Sequence, residues 1–481
     1  MTTRAWELAR LDGVGQAELI ARGEVSAREL ADAALTRIDE LDGQLGSVVW
    51  RMEDLEEQLE ALAAMTASAL PLAGTPTLLK DVGGRYAGAP RWDGSRFVGG
   101  VVDDADSELV ARMRRAGLIF VGKSSSSEFA NTNETSWPGP TNNPWDARRS
   151  TGGSSAGAGA AVAARLVPLA HGSDAGGSIR WPAAWCGVFG LKPTRARNPL
   201  GPEASEGCAG LTVAHVLSVS VRDSAAALDA TGTPDPGGPF VAPNPGGGYL
   251  EAAGRDPQAL RIGFSTAAPD GRQVDADCAE AVLDAARLCE ELGHRAEEAA
   301  PDYDVEQLVR EFEGYAFDAN AASIDAWEAA FERVASEADF DPITWWLIQR
   351  GRERSASEHI NGVARLHRVA RDAASFFTTY DLFLTPATPT PPALHEELLP
   401  SPAQVEEVWW NKELGGGIFL LLANVTGHPA MSIPLTWSTE GLPVGTHFTG
   451  RLGREDILLQ LAGQLERARP WTERLPPIVP T

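Results

Sequence analysis

Residues 151–194 read TGGSSAGAGAAVAARLVPLAHGSDAGGSIRWPAAWCGVFGLKPT. A glycine-serine turn leads into a helix of small residues and a strand ending near His171. A second glycine turn then carries Ser178, and a short apolar segment ends at Cys186-Gly187. Ser178 follows Asp174-Ala175-Gly176-Gly177, where missing side chains let the backbone N–H groups of Ala175, Gly176, Gly177 and Ser178 converge on one point. Such a nest suits a developing oxyanion, and one donor of this kind is worth on the order of 10²–10³ in rate. Taken alone, GGS is equally a structural turn. The GGSS turn with Ser154, 24 residues upstream of Ser178, is what tips the reading toward chemistry.

A serine hydroxyl is a weak nucleophile until a base takes its proton. His171 lies seven residues upstream of Ser178, but the sequence offers no arrangement that turns it from its own strand toward that hydroxyl. Lysine is the other candidate, provided it is neutral. Lys80 ends the apolar run PTLLK, where burial lowers an amine pKa. Bringing it from its ordinary value to about 7 costs roughly 4–5 kcal/mol. Arginine does not deprotonate in proteins and cannot serve. The chain has only four lysines (Lys80, Lys123, Lys192, Lys412) against 37 arginines, so a lysine at a strand end stands out. A plain pairing of Lys80 with Asp81 stays open at this level.

Working outward, residues 15–42 carry apolar residues at helical spacing, with Gly23 as a break and Ser26 as an N-cap before Glu29, which predicts two helices. From 70 to 220 short apolar runs alternate with helical stretches: PTLLKDV, DDADSELVARMRRAG, LIFVG. This texture predicts an α/β layer architecture with a buried sheet. A Pro/Gly-rich connection at 232–248 precedes another α/β stretch from LRIGFST. Residues 305–379 are mainly helical, and SIPLTW pairs with VGTHFTG across a turn before the helix EDILLQLAGQLERA.

Two motif matches fail on context. Gly117 to Ser124 fits G-x-x-x-x-G-K-S, but a helix precedes Gly117 and the intervening residues form an apolar strand, the inverse of a phosphate-cradling loop. Gly153 to Gly157 fits G-x-S-x-G, yet the preceding NNPWDARRST is read as no strand, so the strained strand-to-helix elbow is missing.

Charge and targeting narrow the class. Acidic side chains exceed basic ones by 66 to 41, a net charge of −25, and no basic run exists, which excludes nucleic-acid and anionic-membrane partners. Four cysteines without a C-x-x-C pair and eight scattered histidines imply neither a disulfide framework nor a metal or other cofactor. No signal peptide and no stretch of 18 apolar residues is present, so a cytoplasmic protein is expected.

The motifs GTPTLLKD at 74–81, GKSSSSEF at 122–129, NNPW at 142–145, GGSSAGAGAAVAA at 152–164, GSDAGGSIRWPAAWCGVFGLKPT at 172–194, LTPATPTP at 384–391 and NVTGHPAMSIPL at 424–435 together resemble the amidase signature family. The resemblance covers nearly the whole chain. It implies one domain over 1–481: a helical lead-in at 1–69, a catalytic core at 70–220, and a variable cavity region with the end of the fold at 221–481. The implied fold is one large mixed, twisted β-sheet surrounded by helices. It further implies a Ser-cisSer-Lys set with Ser178 as nucleophile, Ser154 as bridging serine after a cis peptide, and Lys80 as base. Ser155, Asp174 and Arg180 are expected to support the turns.

RARNPLGP after GLKPT resembles the branch of nylon-oligomer hydrolases and amidases of synthetic amides and carbamates more than the amidotransferase A subunit, which acts only with partner chains. The implied substrate is a neutral apolar or aromatic amide, with oligoamide, anilide and carbamate all open, on a monomer or homodimer. Among 14 tryptophans, Trp345 and Trp410, one from each Trp pair, are the candidates for the substrate cavity. Gly415-Gly416-Gly417 reads either as a mobile entrance loop or as a plain turn.

Overall fold

Strand formation begins with short, fully apolar runs such as PTLLK and LIFVG, whose residues have nowhere to go but a sheet covered on both faces. The computed structural model describes residues 2–65, 70–208 and 210–480; Met1 and residues 66–69 of the expected lead-in lie outside the described residues. An 11-stranded mixed sheet is formed by β1 Val48–Arg51, β2 Pro76–Lys80, β3 Ile119–Ser124, β4 Leu169–Asp174, β5 Phe189–Lys192, β6 Val213–Ser218, β7 Arg261–Phe264, β8 Arg295–Glu298, β9 Leu382–Pro386, β10 Ala430–Trp437 and β11 Pro443–Gly450. Their spatial order is β1-β3-β2-β4-β6-β5-β10-β11-β9-β7-β8. Strands from both sides of the 232–248 connection share this sheet. The lead-in is not purely helical, because β1 is an edge strand of it.

Side chains alternate between faces along each strand. Leu78, Ile119, Val121 and Ala170 pack on one face against Ala158, Ala161 and Val162 of the Ala156–Ala163 helix. Leu79, Phe120 and Leu169 pack on the other against Leu109, Val110 and Met113. By the same alternation Lys80 falls on the face of the Ala156–Ala163 helix, at whose start Ser154 and Ser155 lie. Strands β2 and β4 are parallel, with Thr77 opposite Leu169 and Leu78 opposite Ala170, so Lys80 ends level with the 172–174 stretch. Both strands end at the same edge, the edge at which open α/β sheets bind ligands.

The helical expectations hold in kind. Gly13–Ala21 and Ala27–Leu45 are the two early helices, and Ser26 with Glu29 closes a capping box on the second. Residues 305–379 give the helices Val305–Phe331, Pro342–Arg352 and Ala356–Ala374. The stretch before Gly153 differs from expectation: Asn142–Asn143 and Asp146–Ser150 form a two-stranded ribbon apart from the main sheet. Its longer strand, DARRS, has four polar or charged residues and one alanine, so the apolar alternation that marks a strand is absent.

The Val305–Phe331 helix supplies much of the cavity wall above the β2 and β4 ends, and the Pro342–Arg352 helix backs it, meeting it at Gly351. A Cβ there would stand 2.1 Å from the Phe317 carbonyl oxygen and 2.7 Å from Ala321 Cβ. We expect Gly351→Val to destabilise the fold by about 1–3 kcal/mol through overpacking. Exposed Gln349→Ala is the control. Calorimetry comparing the two melting temperatures checks this, and equal values would show that the helices part freely.

Candidate active site

At the C-terminal end of β2, Lys80 is fully buried, with Nζ 2.8 Å from Ser154 Oγ and 2.9 Å from Ser173 Oγ. Asp81 projects to the other face and accepts the N–H groups of Trp92 at 3.1 Å and Gly94 at 2.8 Å, so it is not the partner of Lys80. The nearest partners of the amine are therefore two hydroxyls. Burial pushes the Lys80 amine down to about 7, against the pull of the Asp174 and Asp81 carboxylates.

The two glycine turns meet over this amine. The Gly153–Ser154 peptide is cis. Ser155 donates its N–H to the Ser178 carbonyl at 3.3 Å, and its hydroxyl bridges the backbone C=O and N–H of Ser173, each at 3.3 Å. Ser155 thus ties both turns to β4. Ser154, Ser173 and Ser178 all line one cavity of about 910 Å³. His171, two residues before Ser173, accepts the Lys80 backbone N–H on Nδ1 at 3.3 Å, and burial pushes its imidazole down to about 3. It holds the β2 end and stays neutral.

Asp174 and Arg180 are both fully buried. The carboxylate accepts Arg180 Nε–H and Nη2–H at 2.9 Å each, Asn424 Nδ2–H at 2.9 Å, and the N–H groups of Gly177 at 2.9 Å and Ile179 at 3.2 Å. Burial acts to raise the Asp174 pKa, but the Arg180 guanidinium overrides it and holds the carboxyl well below the usual carboxylate range. Arg180 also donates to the Leu420 carbonyl at 2.9 Å and to Asn424 Oδ1 at 2.6 Å.

This network corrects one expectation about the nest. Gly177 turns its N–H to Asp174 with φ +129° and is absent from the cavity wall. Among the described residues the N–H groups of Ala175, Gly176 and Ser178 have no acceptor, and these three residues line the cavity. Three donors remain aimed where four were expected, because the fourth closes the turn.

The tryptophan assignments also change. Trp345 stacks on Phe340 at 6.0 Å in a cluster with Phe97 and Ile348, and Trp410 is 38% exposed; neither lines the cavity. Trp181 and Trp409 do, beside Phe129, Phe312 and Tyr315. One tryptophan of the 409–410 pair does face the site, but it is the other member. Gly415, Gly416 and Gly417 are buried: a Cβ on Gly416 would stand 2.4 Å from the Trp181 ring and one on Gly415 1.7 Å from Arg272, so these glycines serve close packing rather than a mobile loop. Residues that sequence reasoning did not single out are Ser173, Asn133 and Glu413. Ser173 lies at the end of β4 beside Asp174, where strand alternation alone would set it on the Leu169 face, away from Lys80, so the sequence pattern carries no signal for its bond to the amine. Glu413 carries no local signal. No helix among the described residues is long and apolar enough to cross a membrane.

Comparison with known proteins agrees with this geometry. The Amidase family model matches residues 29–459. The 6-aminohexanoate-cyclic-dimer hydrolase of Paenarthrobacter ureafaciens is 34% identical over 482 residues, covering 97% of each chain. A solved structure of 6-aminohexanoate cyclic dimer hydrolase complexed with substrate superposes with a TM-score of 0.92 at 32% identity, covering 98% of this chain and 100% of that one. A bacterial aryl acylamidase of the amidase signature family shares the fold, with a TM-score of 0.86 at 24% identity over 96% and 97% of the two chains. The buried lysine beside two glycine-turn serines, the mixed sheet beneath them and these full-length matches lead to one conclusion: the chain belongs to the amidase signature family and is an amide hydrolase.

Proposed function

We propose that the chain, as a single domain over 1–481, cleaves the C–N bond of a neutral, apolar or aromatic amide through a seryl acyl-enzyme on Ser178. The observation that carries this reading is Lys80 Nζ at 2.8 Å from Ser154 Oγ, with both side chains buried. Neutral Lys80 accepts the Ser154 proton while Ser154 accepts that of Ser178. Ser178 Oγ attacks the carbonyl carbon, and the N–H groups of Ala175, Gly176 and Ser178 receive the oxyanion. The relay then runs backward: the leaving nitrogen takes a proton from Ser154, which recovers one from Lys80. Water attacks the acyl-enzyme by the same relay and releases the acid. Asp174 and Arg180 hold the nucleophile's turn without taking part in proton transfer.

Cavity chemistry supports the substrate class. Six large apolar side chains, Phe129, Trp181, Phe312, Tyr315, Trp409 and Leu421, face the site, with the amides of Asn131, Asn133 and Asn320 among them. Charged side chains line the cavity too, with Arg91 paired to Asp93 and Arg354 to Asp318, and apolar walls with internally paired charges fit an uncharged amide. The likeness to an enzyme named for a cyclic dimer of 6-aminohexanoate favours an oligoamide ahead of an anilide or carbamate. Those relatives also favour a free-standing hydrolase over an amidotransferase A-type subunit.

The purified chain alone should turn over members of a panel of cyclic oligoamide, p-nitroanilide and aryl carbamate. A fluorophosphonate adduct should map to Ser178 by mass spectrometry, and Ser178→Ala should lower kcat by at least about 10³. Absence of turnover without partner chains, or an adduct on another residue, would sink the proposal.

The pH profile tests Lys80 separately. Its amine carries a proton below about 7 and is a base above it, so kcat/KM should fall roughly tenfold per pH unit on the acid side of that value. Lys80→Arg, which keeps the charge and cannot lose the proton, should be inactive. A flat profile down to about pH 5 would remove Lys80 from the base role.

A further inference from the structure

Asn133 lies at the centre of the bonds that fix the turn before Ser154. Its side-chain oxygen accepts the Gly153 N–H at 3.0 Å, and its carbonyl accepts the Ser150 hydroxyl at 2.6 Å. Ser150 Oγ in turn accepts the Gly152 N–H at 3.0 Å. Residues 150, 152 and 153 therefore depend on where Asn133 sits. Asn133 is anchored by one distant group: Glu413 Oε2 accepts its backbone N–H at 3.0 Å and its Nδ2–H at 2.5 Å. Glu413 belongs to the helical segment Trp409–Leu414, 280 residues away in the chain, and it lines the same cavity as Ser154. Its second oxygen, Oε1, is buried with no partner among the described residues.

We propose that Glu413 is a positioning residue, which through Asn133 and the Gly153 N–H holds Ser154 against Lys80. The inference rests on the Ser178, Ser154 and Lys80 reading above. A buried carboxyl is costly unless bonded, and here both bonds of Glu413 go to a single asparagine. That asparagine directs its remaining acceptor atoms at one turn. Burial pushes the Glu413 carboxyl up to about 8, with Glu134 adding to the effect and the Asn133 N–H groups opposing it. The group is accordingly a neutral acid at neutral pH, whose carbonyl oxygen serves Asn133 as a glutamine carbonyl would. A displacement of about 1 Å in a catalytic group can cost 10²-fold in rate. Ser154 is the group that would move.

Glu413→Met keeps the side-chain bulk, Glu413→Ala removes it, and Glu413→Gln keeps an acceptor for Asn133. On folded proteins, verified by circular dichroism and melting temperature, Met and Ala should lower kcat by about 10- to 100-fold with KM within about threefold. The rate of fluorophosphonate labelling at Ser178 should fall in parallel. Glu413→Gln should recover at least about a third of the parent kcat, as expected when only the neutral acceptor matters. A purely structural role would lower the melting temperature and leave kcat and labelling at parent values, which overturns the proposal. So does a Gln variant as impaired as Met, or an effect confined to KM. Should Glu413→Ala not fold, Glu413→Met carries the comparison. Ser154→Ala separates the two levels: parent-like turnover there would overturn the relay itself, whereas its loss beside unaffected Glu413 variants would overturn only the positioning role.

Discussion

The arrangement depends on keeping one amine dry and free of a carboxylate contact. An ammonium touching a carboxylate in a low-dielectric interior is held charged, and a charged lysine has no lone pair to accept a serine proton. Lys80 meets two hydroxyls instead, Ser154 and Ser173. The two nearby acids are both turned away. Asp81 caps the loop at Trp92 and Gly94 on the opposite face, and Asp174 is enclosed by Arg180 and Asn424. In this light Arg180 does more than brace a turn. It pairs directly with the Asp174 carboxylate, whose remaining pull on the Lys80 amine is outweighed by burial. A buried ion pair of this kind is a poor source of stability compared with apolar packing, so its value here is electrostatic order around the amine.

Burial alone does not make a base, and the other lysines show why. Lys123 and Lys192 are as inaccessible as Lys80, and burial pushes the Lys192 amine down to about 7 as well. Lys192 Nζ donates to the Pro193 carbonyl at 3.0 Å, which has no proton to give. Lys123 lies 3.7 Å from Asp103, whose carboxylate with that of Asp81 opposes the lowering that burial imposes, and its amine has no hydroxyl partner among the described residues. What distinguishes Lys80 is its acceptor and donor environment: parallel β2 and β4 end side by side, and the 156–163 helix begins above them with its serines. The scarcity of lysine points to strands of the sheet; the partner found there is what sets Lys80 apart in the proposed relay.

Much of this was legible because it is local. The Ser26 capping box reads directly from its residues, whereas the Asp174-to-Arg180 turn, the Ser154 turn and the strand run ending in Lys80 are short patterns that the family resemblance singled out from their plain structural readings. Features that depend on distant packing were not. Trp345 and Trp410 were misjudged because adjacent residues on a helix point in different directions, and nothing in WW says which ring faces the cavity. The Gly415 to Gly417 run looks flexible in one dimension, yet Trp181 and Arg272 occupy the space that side chains would need. Four N–H groups in a row suggested four donors, but Asp174, three residues back, takes the one on Gly177. Glu413 is an isolated acid until the fold sets it on Asn133.

Chemistry and recognition occupy different parts of the chain, so their junction governs how far one can vary without disturbing the other. The β2, β4 and 151–186 elements supply the proposed reacting groups, while Val305–Phe331 and the 409–421 stretch supply most of the large apolar side chains of the wall. Residues 128–133 join the two. Glu128 accepts the Ser95 hydroxyl at 2.6 Å and the Asp341 N–H at 2.8 Å, Asn131 and Asn320 exchange amide bonds at 2.7 and 2.9 Å, and Asn133 meets Glu413. All of these bonds except that of Ser95 join a polar group on the core side to one on the wall side. Apolar contacts can slide and repack, whereas paired amides and acids have one register. A wall built of exchangeable aromatic side chains can thus change its shape while the bonds of 128–133 keep the serine turns in place.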